Sequence, residues 1–464
     1  MAYATTDPRT GEVIKTFDTH SKEEVEQRLA RAAETFATYR WTSVEDRSHL
    51  MVAAAEILEA ELPDVARTLT LEMGKTFAAA KAEVAKCAMS MRWFAERAPS
   101  LLADDVIETS ARTSLVRYQP LGAVLAVMPW NFPMWQVIRF AAPALMAGNV
   151  GLLKHASNVP QTALLLEDLF RRAGFPPGAF TTLLIDSRDV AAVIADDRVA
   201  AVTLTGSEAA GRSVAGAAGQ ALKKCVLELG GSDPYLVLES ADLTRAVPMA
   251  VTARVQNNGQ SCIAGKRFIV VEAVADEFVR RFTEAMASLV VGDPFEPATD
   301  VGPLVSEAQR LEVAAQVDDA REKGVTIHCG GTVPDGPGWY YRPTVVSGVT
   351  ADMRIATEEV FGPVAIVERV ADVGEAIAVA NATTFGLGSS VWSEDDAEQR
   401  RCIDEIEAGQ VFVNAIVAST PEMPFGGIKR SGFGRELSEL GIKEFCNAKS
   451  VWVAGAGPPL PVAD

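Results

Sequence analysis

The chain has 464 residues, which is enough for two or three domains and a large core. Its formal net charge of −18 makes nucleic acid and anionic membranes poor candidate partners. The sequence shows no signal peptide and no membrane-spanning apolar run, and its six cysteines form neither a C-x-x-C pair nor a Cys/His cluster. We therefore expect a cytoplasmic protein with reduced thiols and no bound metal.

The first hundred residues are predicted to be mostly helical. Residues 8–17 resemble a turn and a short strand. Ser21 and Glu24 form an S-x-x-E capping box, which predicts that a helix begins there and runs to about Tyr39. Further amphipathic helices are predicted near residues 43–61, 62–73 and 77–103.

Residues 106–118 alternate in part between apolar and polar side chains and are followed by Pro120. This pattern predicts a β-hairpin arm. An arm exposed on its own would normally find a partner strand, so we expect an oligomer.

From residue 121 onwards, continuous apolar runs alternate with helical segments. The runs span residues 121–128, 149–154, 180–185, 200–205 and 224–229. This alternation predicts an α/β fold with a parallel sheet covered on both faces. Ligands of such sheets bind beyond the carboxyl ends of the strands. The residues that follow these runs include Trp130, Asn131, Lys154, Ser157, Gly206, Ser207 and Glu228.

Cys262 lies in the segment V-Q-N-N-G-Q-S-C-I-A-G-K, between a predicted helix and a short β-branched run. Connections of this kind often carry functional residues. Gly259 and Gly265 would let the backbone approach a ligand closely. The thiol is therefore a candidate nucleophile, and the alternative is a buried structural cysteine.

Six motifs in order resemble those of the aldehyde dehydrogenase superfamily. They are P-W-N-F-P, L-T-G-S, E-L-G-G, G-Q-S-C, E-E-V-F-G-P and P-F-G-G-I-K-R-S-G-F-G-R-E. The resemblance implies a Rossmann-type cofactor domain, a second α/β catalytic domain and a small β oligomerisation arm. It assigns residues 1–103 and 121–229 to the cofactor domain and residues 230–440 to the catalytic domain. Residues 104–120 and 441–464 are assigned to the oligomerisation arm. A homodimer or homotetramer is expected.

The resemblance also implies catalytic roles. Cys262 matches the family nucleophile, whose thiolate adds to an aldehyde to give a thiohemiacetal and, after loss of hydride, a thioester. Glu228 matches the general base that activates water, and Asn131 matches the oxyanion donor. Because dehydrogenases that transfer the acyl group to coenzyme A typically lack this base, water is the expected acceptor.

The residues that match the family's cofactor contacts are Trp130, Lys154, Gly206, Ser207, Glu359 and Phe361. Many NAD-preferring relatives carry Glu three residues after this Lys, where the chain has Ser157. A carboxylate there would repel a 2′-phosphate. We therefore predict NADP as the cofactor, with NAD possible. His155 replaces the usual Pro and is expected to pack rather than to catalyse.

Members of the family that oxidise succinic semialdehyde carry an Arg at the position of Arg139, where a guanidinium can hold the distal carboxylate. These enzymes usually have a second Arg at the position where this chain has Gln256. Ser419 could supply a hydroxyl to the substrate carboxylate. Arg254 should point elsewhere on its helix. Succinic semialdehyde is the predicted substrate. The alternatives are an uncharged or medium-chain aldehyde, or a protein that binds nucleotide without catalysis.

Overall fold

The computed structural model describes residues 3–455 and 457–460. Its helices are α1 (Lys22–Tyr39), α2 (Val44–Ala60), α3 (Leu62–Met73), α4 (Phe77–Leu101), α5 (Trp135–Met146), α6 (Pro160–Arg172), α7 (Val190–Ala195), α8 (Glu208–Gln220), α9 (Leu243–Val255), α10 (Glu272–Ala287), α11 (Glu307–Glu322), α12 (Arg354–Thr357), α13 (Val373–Asn381), α14 (Asp396–Glu405) and α15 (Ser438–Glu444). Its strands are β1 (Tyr3–Thr6), β2 (Val13–Phe17), β3 (Asp105–Val106), β4 (Thr113–Pro120), β5 (Ala123–Met128), β6 (Val150–His155), β7 (Phe180–Thr182), β8 (Val199–Thr205), β9 (Lys224–Glu228), β10 (Asp233–Val237), β11 (Gly265–Val271), β12 (Thr326–Cys329), β13 (Thr344–Ser347), β14 (Val364–Val370), β15 (Ser389–Trp392), β16 (Val411–Val413), β17 (Gly432–Phe433) and β18 (Cys446–Val453).

The first large sheet has six strands in the order β17-β9-β8-β5-β6-β7. Strands β5 to β9 are parallel, and the five predicted apolar runs supply them. Their near-continuous burial reflects helices on both faces. The short strand β17 pairs antiparallel with the end of β9, bringing Gly432 opposite Glu228. Although residues 432–433 fall within the predicted block 230–440, they therefore lie in the first sheet.

The second large sheet has seven strands in the order β12-β13-β14-β11-β10-β15-β16, all parallel except β12. Three apolar clusters pack against it. Strand β11 is buried along its whole length at the centre of this sheet. The loop that carries Cys262 leads directly into β11 and is therefore anchored by the core.

A third sheet of three antiparallel strands has the order β18-β4-β3. It contains the predicted hairpin arm and joins it to the C-terminal strand over eight residue pairs, from Cys446 with Pro120 to Val453 with Thr113. Large apolar side chains remain exposed on or beside it, including Val106, Ile107 and Trp452.

The N-terminal region departs from its prediction at one point. The predicted helix α1 is present, and Ser21 and Glu24 make both hydrogen bonds of the capping box. Strand β1, however, was not predicted from the sequence. It pairs with β2 to form a two-stranded sheet. The described part of the chain contains no helix with the length and apolarity needed to cross a bilayer.

Candidate active site

Cys262 lies on the loop between α9 and β11, just after a 3₁₀ turn at Gln256–Gly259. Asn257 and Asn258 in this turn have φ angles of 56° and 58°, in the left-handed region that asparagine tolerates better than most residues. Asn258 Nδ2 fixes the turn by donating to the backbone oxygen of Gly74 at 2.8 Å. Helix α9 ends at this turn, and the half-buried thiol of Cys262 lines a cleft.

Asn131 lies beside this loop, in the turn after β5. Its Nδ2 donates to the backbone oxygen of Gln260 at 3.1 Å, and its Oδ1 accepts from Gln136 Nε2 at 3.0 Å. Asn257 Nδ2 donates to the backbone oxygen of Asn131 at 2.7 Å, which ties the two loops together. An amide nitrogen carries two hydrogens, so one hydrogen of Asn131 Nδ2 remains available to an oxygen in the cleft.

Glu228 is the last residue of β9 and is only 2% exposed. Neither carboxyl oxygen has a hydrogen-bond partner among the described residues. Burial raises the pKa of Glu228 well above its ordinary value, and the nearby carboxyl of Glu436 raises it further. A buried carboxyl without partners is costly, and such groups are typical of proton-transfer sites.

Two cations oppose the effect of burial on the thiol of Cys262, the candidate nucleophile. Burial raises the pKa of Cys262 to about 12, while Arg139 and Lys266 act to lower it. Lys266 is itself buried and donates to the backbone oxygens of Ser261 at 3.1 Å and Cys262 at 2.8 Å. Its Nζ also pairs with Glu359 at 3.1 Å. Lys266 therefore connects the nucleophile loop with one of the predicted cofactor contacts.

In the cofactor-free enzyme, we expect alkylation of Cys262 by iodoacetamide to accelerate continuously between about pH 6 and 10. The thiolate is the reactive form, and a pKa of about 12 keeps the thiol protonated near neutrality. Peptide mass spectrometry of the Cys262 fragment measures this rate separately from those of the other cysteines. A plateau near neutral pH would contradict the expectation.

An open cleft leads to Cys262 from one side. Its walls include the predicted cofactor residues Trp130, Gly206, Ser207, Glu359 and Phe361. Trp130 and Phe361 pack edge to face, with ring centroids 5.7 Å apart. Ser207 caps α8 by accepting from the backbone N–H of Ala210 at 3.3 Å. A helix N-terminus at this wall suits a pyrophosphate.

The carboxylate of Glu359 is fixed at the edge of this cleft. Oε1 accepts from the backbone N–H of Gly231 at 3.2 Å, in addition to its ion pair with Lys266. A Cβ on Gly230 would overlap Oε2, so a larger residue there would displace the Glu359 carboxylate, while a Cβ on Gly231 would lie only 2.8 Å from the backbone oxygen of Cys262. These two close approaches give the glycines of E-L-G-G a physical reason.

A second pocket contains Lys154 and Ser157. Burial lowers the pKa of Lys154, and Asp186 acts in the opposite direction. Arg188 borders the same pocket with an 82% exposed side chain, paired with Asp186 at 3.0 Å. Tyr3 of β1 also lines it, so the N-terminal strand closes one side. The lining of this pocket therefore includes two cations, one carboxylate and the hydroxyls of Ser157 and Ser187.

His155, the residue after Lys154, is fully buried and lines neither of these two pockets. Its Nε2 contacts the backbone oxygen of Pro133 at 2.8 Å, and its Nδ1 accepts from the backbone N–H of Ala156 at 2.9 Å. Burial lowers the pKa of His155 to about 4, so the ring is neutral near pH 7. The residue ties the turn that carries Asn131 to β6, which is the packing role predicted for it.

Arg139 lies on α5, outside the walls of the cofactor cleft but within electrostatic range of Cys262. It forms an ion pair with Glu436, with side chains 3% and 5% exposed, and Nη2 donates to Thr205 Oγ1 at 3.2 Å. Its guanidinium carbon lies 4.4 Å from the ring centroid of Phe425. The predicted anchor is thus close to the nucleophile but already paired, and its contact with substrate stays a prediction.

The other predicted substrate residue, Ser419, is 4% exposed and accepts from Lys86 Nζ at 3.0 Å and Trp135 Nε1 at 2.9 Å. Arg254 lies elsewhere, as expected: its Nη2 donates to the backbone oxygen of Gly259 at 2.7 Å. Gln256, at the position of the missing second Arg, is half-buried.

Sequence reasoning missed several residues that support the site, chiefly Lys266, Glu436 and Lys86. Lys266 and Glu436 had a usable signal, because each belongs to a quoted segment and is a charge beside apolar or glycine-rich chain. Lys86 had none, since it is one lysine on an amphipathic helix, and only tertiary packing brings it to Ser419.

Comparison with known proteins agrees with this geometry. The family model described as "Aldehyde dehydrogenase family" matches residues 1–451. A succinate-semialdehyde dehydrogenase [NADP(+)] of Mycobacterium avium (strain 104) is 60% identical over 460 residues, covering 98% of each chain. A protein of Mycobacterium tuberculosis (strain H37Rv) with the same description, numbered 1, is 59% identical over 457 residues, covering 98% of this chain and all of that one.

Among solved structures, the succinic semialdehyde dehydrogenase of Streptococcus pyogenes in complex with NADP+ has a TM-score of 0.96 and 38% identity, covering 98% of this chain and 100% of that chain. This chain thus has the six ordered motifs, the two large sheets and a cleft lined by both Cys262 and the predicted cofactor residues. It is also similar to these proteins over nearly its whole length. The chain belongs to the aldehyde dehydrogenase family.

Proposed function

We propose that this protein oxidises succinic semialdehyde to succinate with NADP+, using Cys262 as nucleophile and water as acyl acceptor. The observation that carries the chemistry is that Cys262 and Asn131 line one cleft, while the Arg139 guanidinium acts on both the Cys262 thiol and the buried Glu228 carboxyl. The names of the relatives at 59–60% identity support the substrate and cofactor.

The first step is attack of the Cys262 thiolate on the aldehyde carbon. Arg139 and Lys266 favour the thiolate by lowering the pKa of the thiol. The free hydrogen on Asn131 Nδ2 and the backbone N–H of Cys262 would donate to the developing oxyanion. Gln136 holds the Asn131 amide in the required orientation. Losing one such donor typically costs about 10²–10³ in rate.

The residues present fit a nicotinamide dinucleotide phosphate. The capped N-terminus of α8 at Ser207 suits the pyrophosphate, and Glu359 can accept from ribose hydroxyls. Lys154 and Ser157 in the second pocket would hold the 2′-phosphate, with Arg188 as a further cation. When bound, the nicotinamide supplies the hydride acceptor.

Glu228 would then act on the water that cleaves the thioester. Its unpartnered carboxyl oxygens can accept a proton from that water once the group is ionised. Arg139 and Arg435 favour the ionised form by lowering the pKa against the effect of burial. The rate of this step should therefore rise with pH as Glu228 ionises.

A broad-specificity enzyme for uncharged or medium-chain aldehydes is the second candidate. The ion pair between Arg139 and Glu436 favours this second candidate. A guanidinium whose charge is already balanced by a carboxylate of the protein binds a substrate carboxylate less strongly. The presence of Cys262, Glu228 and Asn131 argues against a third candidate, a non-catalytic nucleotide-binding protein.

The test is the rate of cofactor reduction with purified enzyme, comparing succinic semialdehyde with butanal, and NADP+ with NAD+. The proposal expects a much higher kcat/KM for succinic semialdehyde with NADP+. Equal values for the two aldehydes would favour the broad-specificity candidate. Nucleotide binding without turnover of any aldehyde would favour the non-catalytic one.

Ser157→Glu is expected to lower kcat/KM with NADP+ by about 10- to 100-fold and to shift preference towards NAD+, because a carboxylate facing the 2′-phosphate repels it. The measurement is the NADP+/NAD+ ratio of kcat/KM. Ser157→Ala is the matched control, since it removes the hydroxyl without adding charge. An unchanged ratio in Ser157→Glu would overturn the assignment of this pocket.

The division into a cofactor domain, a catalytic domain and an arm is proposed with the predicted boundaries, with β17 assigned to the cofactor sheet. The same arm supports a homodimer or homotetramer. Its exposed apolar side chains, among them Val106 and Trp452, are typical of a surface covered by another subunit.

A further inference from the structure

Lys86 reaches from α4 into the group of residues beside Arg139. Its Nζ donates to Ser419 Oγ at 3.0 Å and lies 4.1 Å from the ring centroid of Trp135. Trp135 Nε1 donates to the same Ser419 oxygen at 2.9 Å. Both Ser419 and Trp135 are buried, while Lys86 is half-buried. The ammonium is therefore held in place by a hydroxyl and an aromatic ring.

The charge around this ammonium is unbalanced. Among the described residues, no carboxylate lies within 4.0 Å of Lys86 Nζ. Burial and the guanidinium of Arg139 together lower the pKa of Lys86 to about 8. The Cys87 thiol and the Glu83 carboxyl on its own helix act in the opposite direction. Glu83 is committed to an ion pair with Lys75. A bound carboxylate would compensate this excess of positive charge.

The position of Lys86 relative to the nucleophile follows from Arg139. The same guanidinium lowers the pKa of Lys86 and that of Cys262, so it lies within electrostatic range of both. None of Lys86, Arg139 and Ser419 lines the cofactor cleft. Trp135, which contacts Lys86, lies one turn before Arg139 on α5, and the turn that leads into α5 carries Asn131, which lines the cleft with Cys262. Lys86 and Arg139 therefore lie next to α5 and outside the walls of the cofactor cleft, where a substrate chain that extends past Asn131 towards α5 would meet them.

We propose that Lys86 binds the distal carboxylate of the substrate. Lys86 thereby takes over the role of the second Arg of the enzymes that oxidise succinic semialdehyde, at whose position this chain has Gln256. Ser419 contributes a hydroxyl and positions the ammonium. The inference rests on the proposed function, because it gives an ω-carboxylate its ligand. It also answers the objection raised by the Arg139–Glu436 pair, since Lys86 is a cation that has no carboxylate partner within residues 3–455 and 457–460.

The experiment measures kcat and KM for succinic semialdehyde and for butanal in the wild type, Lys86→Met and Lys86→Arg. Lys81→Met is the control, because Lys81 is an exposed lysine on the same helix, lying against Phe77. In Lys86→Met we expect kcat/KM for succinic semialdehyde to fall about 10- to 100-fold, mainly through KM, as for loss of a charge-assisted hydrogen bond. Butanal should be affected much less, and Lys86→Arg should recover part of the loss.

A second readout is inhibition by the product succinate, whose inhibition constant should rise in Lys86→Met in parallel with KM. An equal fall for both aldehydes would mean that Lys86 only supports the fold. An unchanged preference for succinic semialdehyde would overturn its role while leaving the proposed function intact. A wild type without that preference would overturn both.

Discussion

Replacing Cys262 by alanine is expected to reduce aldehyde oxidation by about 10⁴-fold or more while leaving affinity for NADP+ nearly unchanged. The loss is large because no covalent thioester can form without the thiol. The proposed cofactor contacts do not require the thiol, because they come from α8, Glu359 and the Lys154 pocket. The measurements are steady-state kinetics with succinic semialdehyde and calorimetric titration with NADP+.

Cys329→Ala is the matched control for Cys262→Ala. This thiol is also half-buried, but it lies on β12 at the edge of the second sheet. Its removal should leave kcat/KM close to that of the wild type. Substantial turnover by Cys262→Ala would remove Cys262 as the nucleophile. Loss of NADP+ binding in the same variant would show that the loop itself had been disturbed.

Replacing Glu228 by glutamine is expected to slow hydrolysis of the thioester by about 10²–10⁴-fold, so that the acyl-enzyme accumulates. Glutamine keeps the size of the side chain but cannot accept a proton from water. In the wild type the step should accelerate with rising pH, since burial raises the pKa of Glu228 and only its ionised form is a base. The variant should lose this dependence.

Intact-protein mass spectrometry during turnover detects the acyl adduct of Glu228→Gln, and a rapid burst of reduced cofactor should accompany it. Glu239→Gln is the control, because Glu239 is an exposed carboxylate just beyond the next strand, β10. Slow turnover without either a burst or an adduct would place the defect before acylation and would count against the role of Glu228 as the base.

The parts of the fold that follow local rules were predictable from the sequence. The five parallel strands of the first sheet coincide with its apolar runs, and Ser21 marks the start of α1. The residues after those runs do meet at one edge, because parallel strands carry their carboxyl ends to the same side. Asn131, Gly206 and Ser207 line the cleft beside Cys262 for this reason.

Features that depend on distant contacts were not predictable. The pairing of Arg139 with Glu436 joins residues almost three hundred positions apart, and no local pattern indicates it. Strand β1 is four residues long and has a partner only after β2 folds back on it. The site of Lys86 requires α4, α5 and the loop of Ser419 to be packed together.

The pairing of Gly432 with Glu228 constrains the order in which the enzyme can assemble. While the ribosome is still making the second α/β block, β9 is an open edge of the first sheet. The backbones of Leu227 and Glu228 then have no neighbour on that side. Exposed edges of this kind attract other chains, so a nascent chain halted before β17 is an aggregation risk.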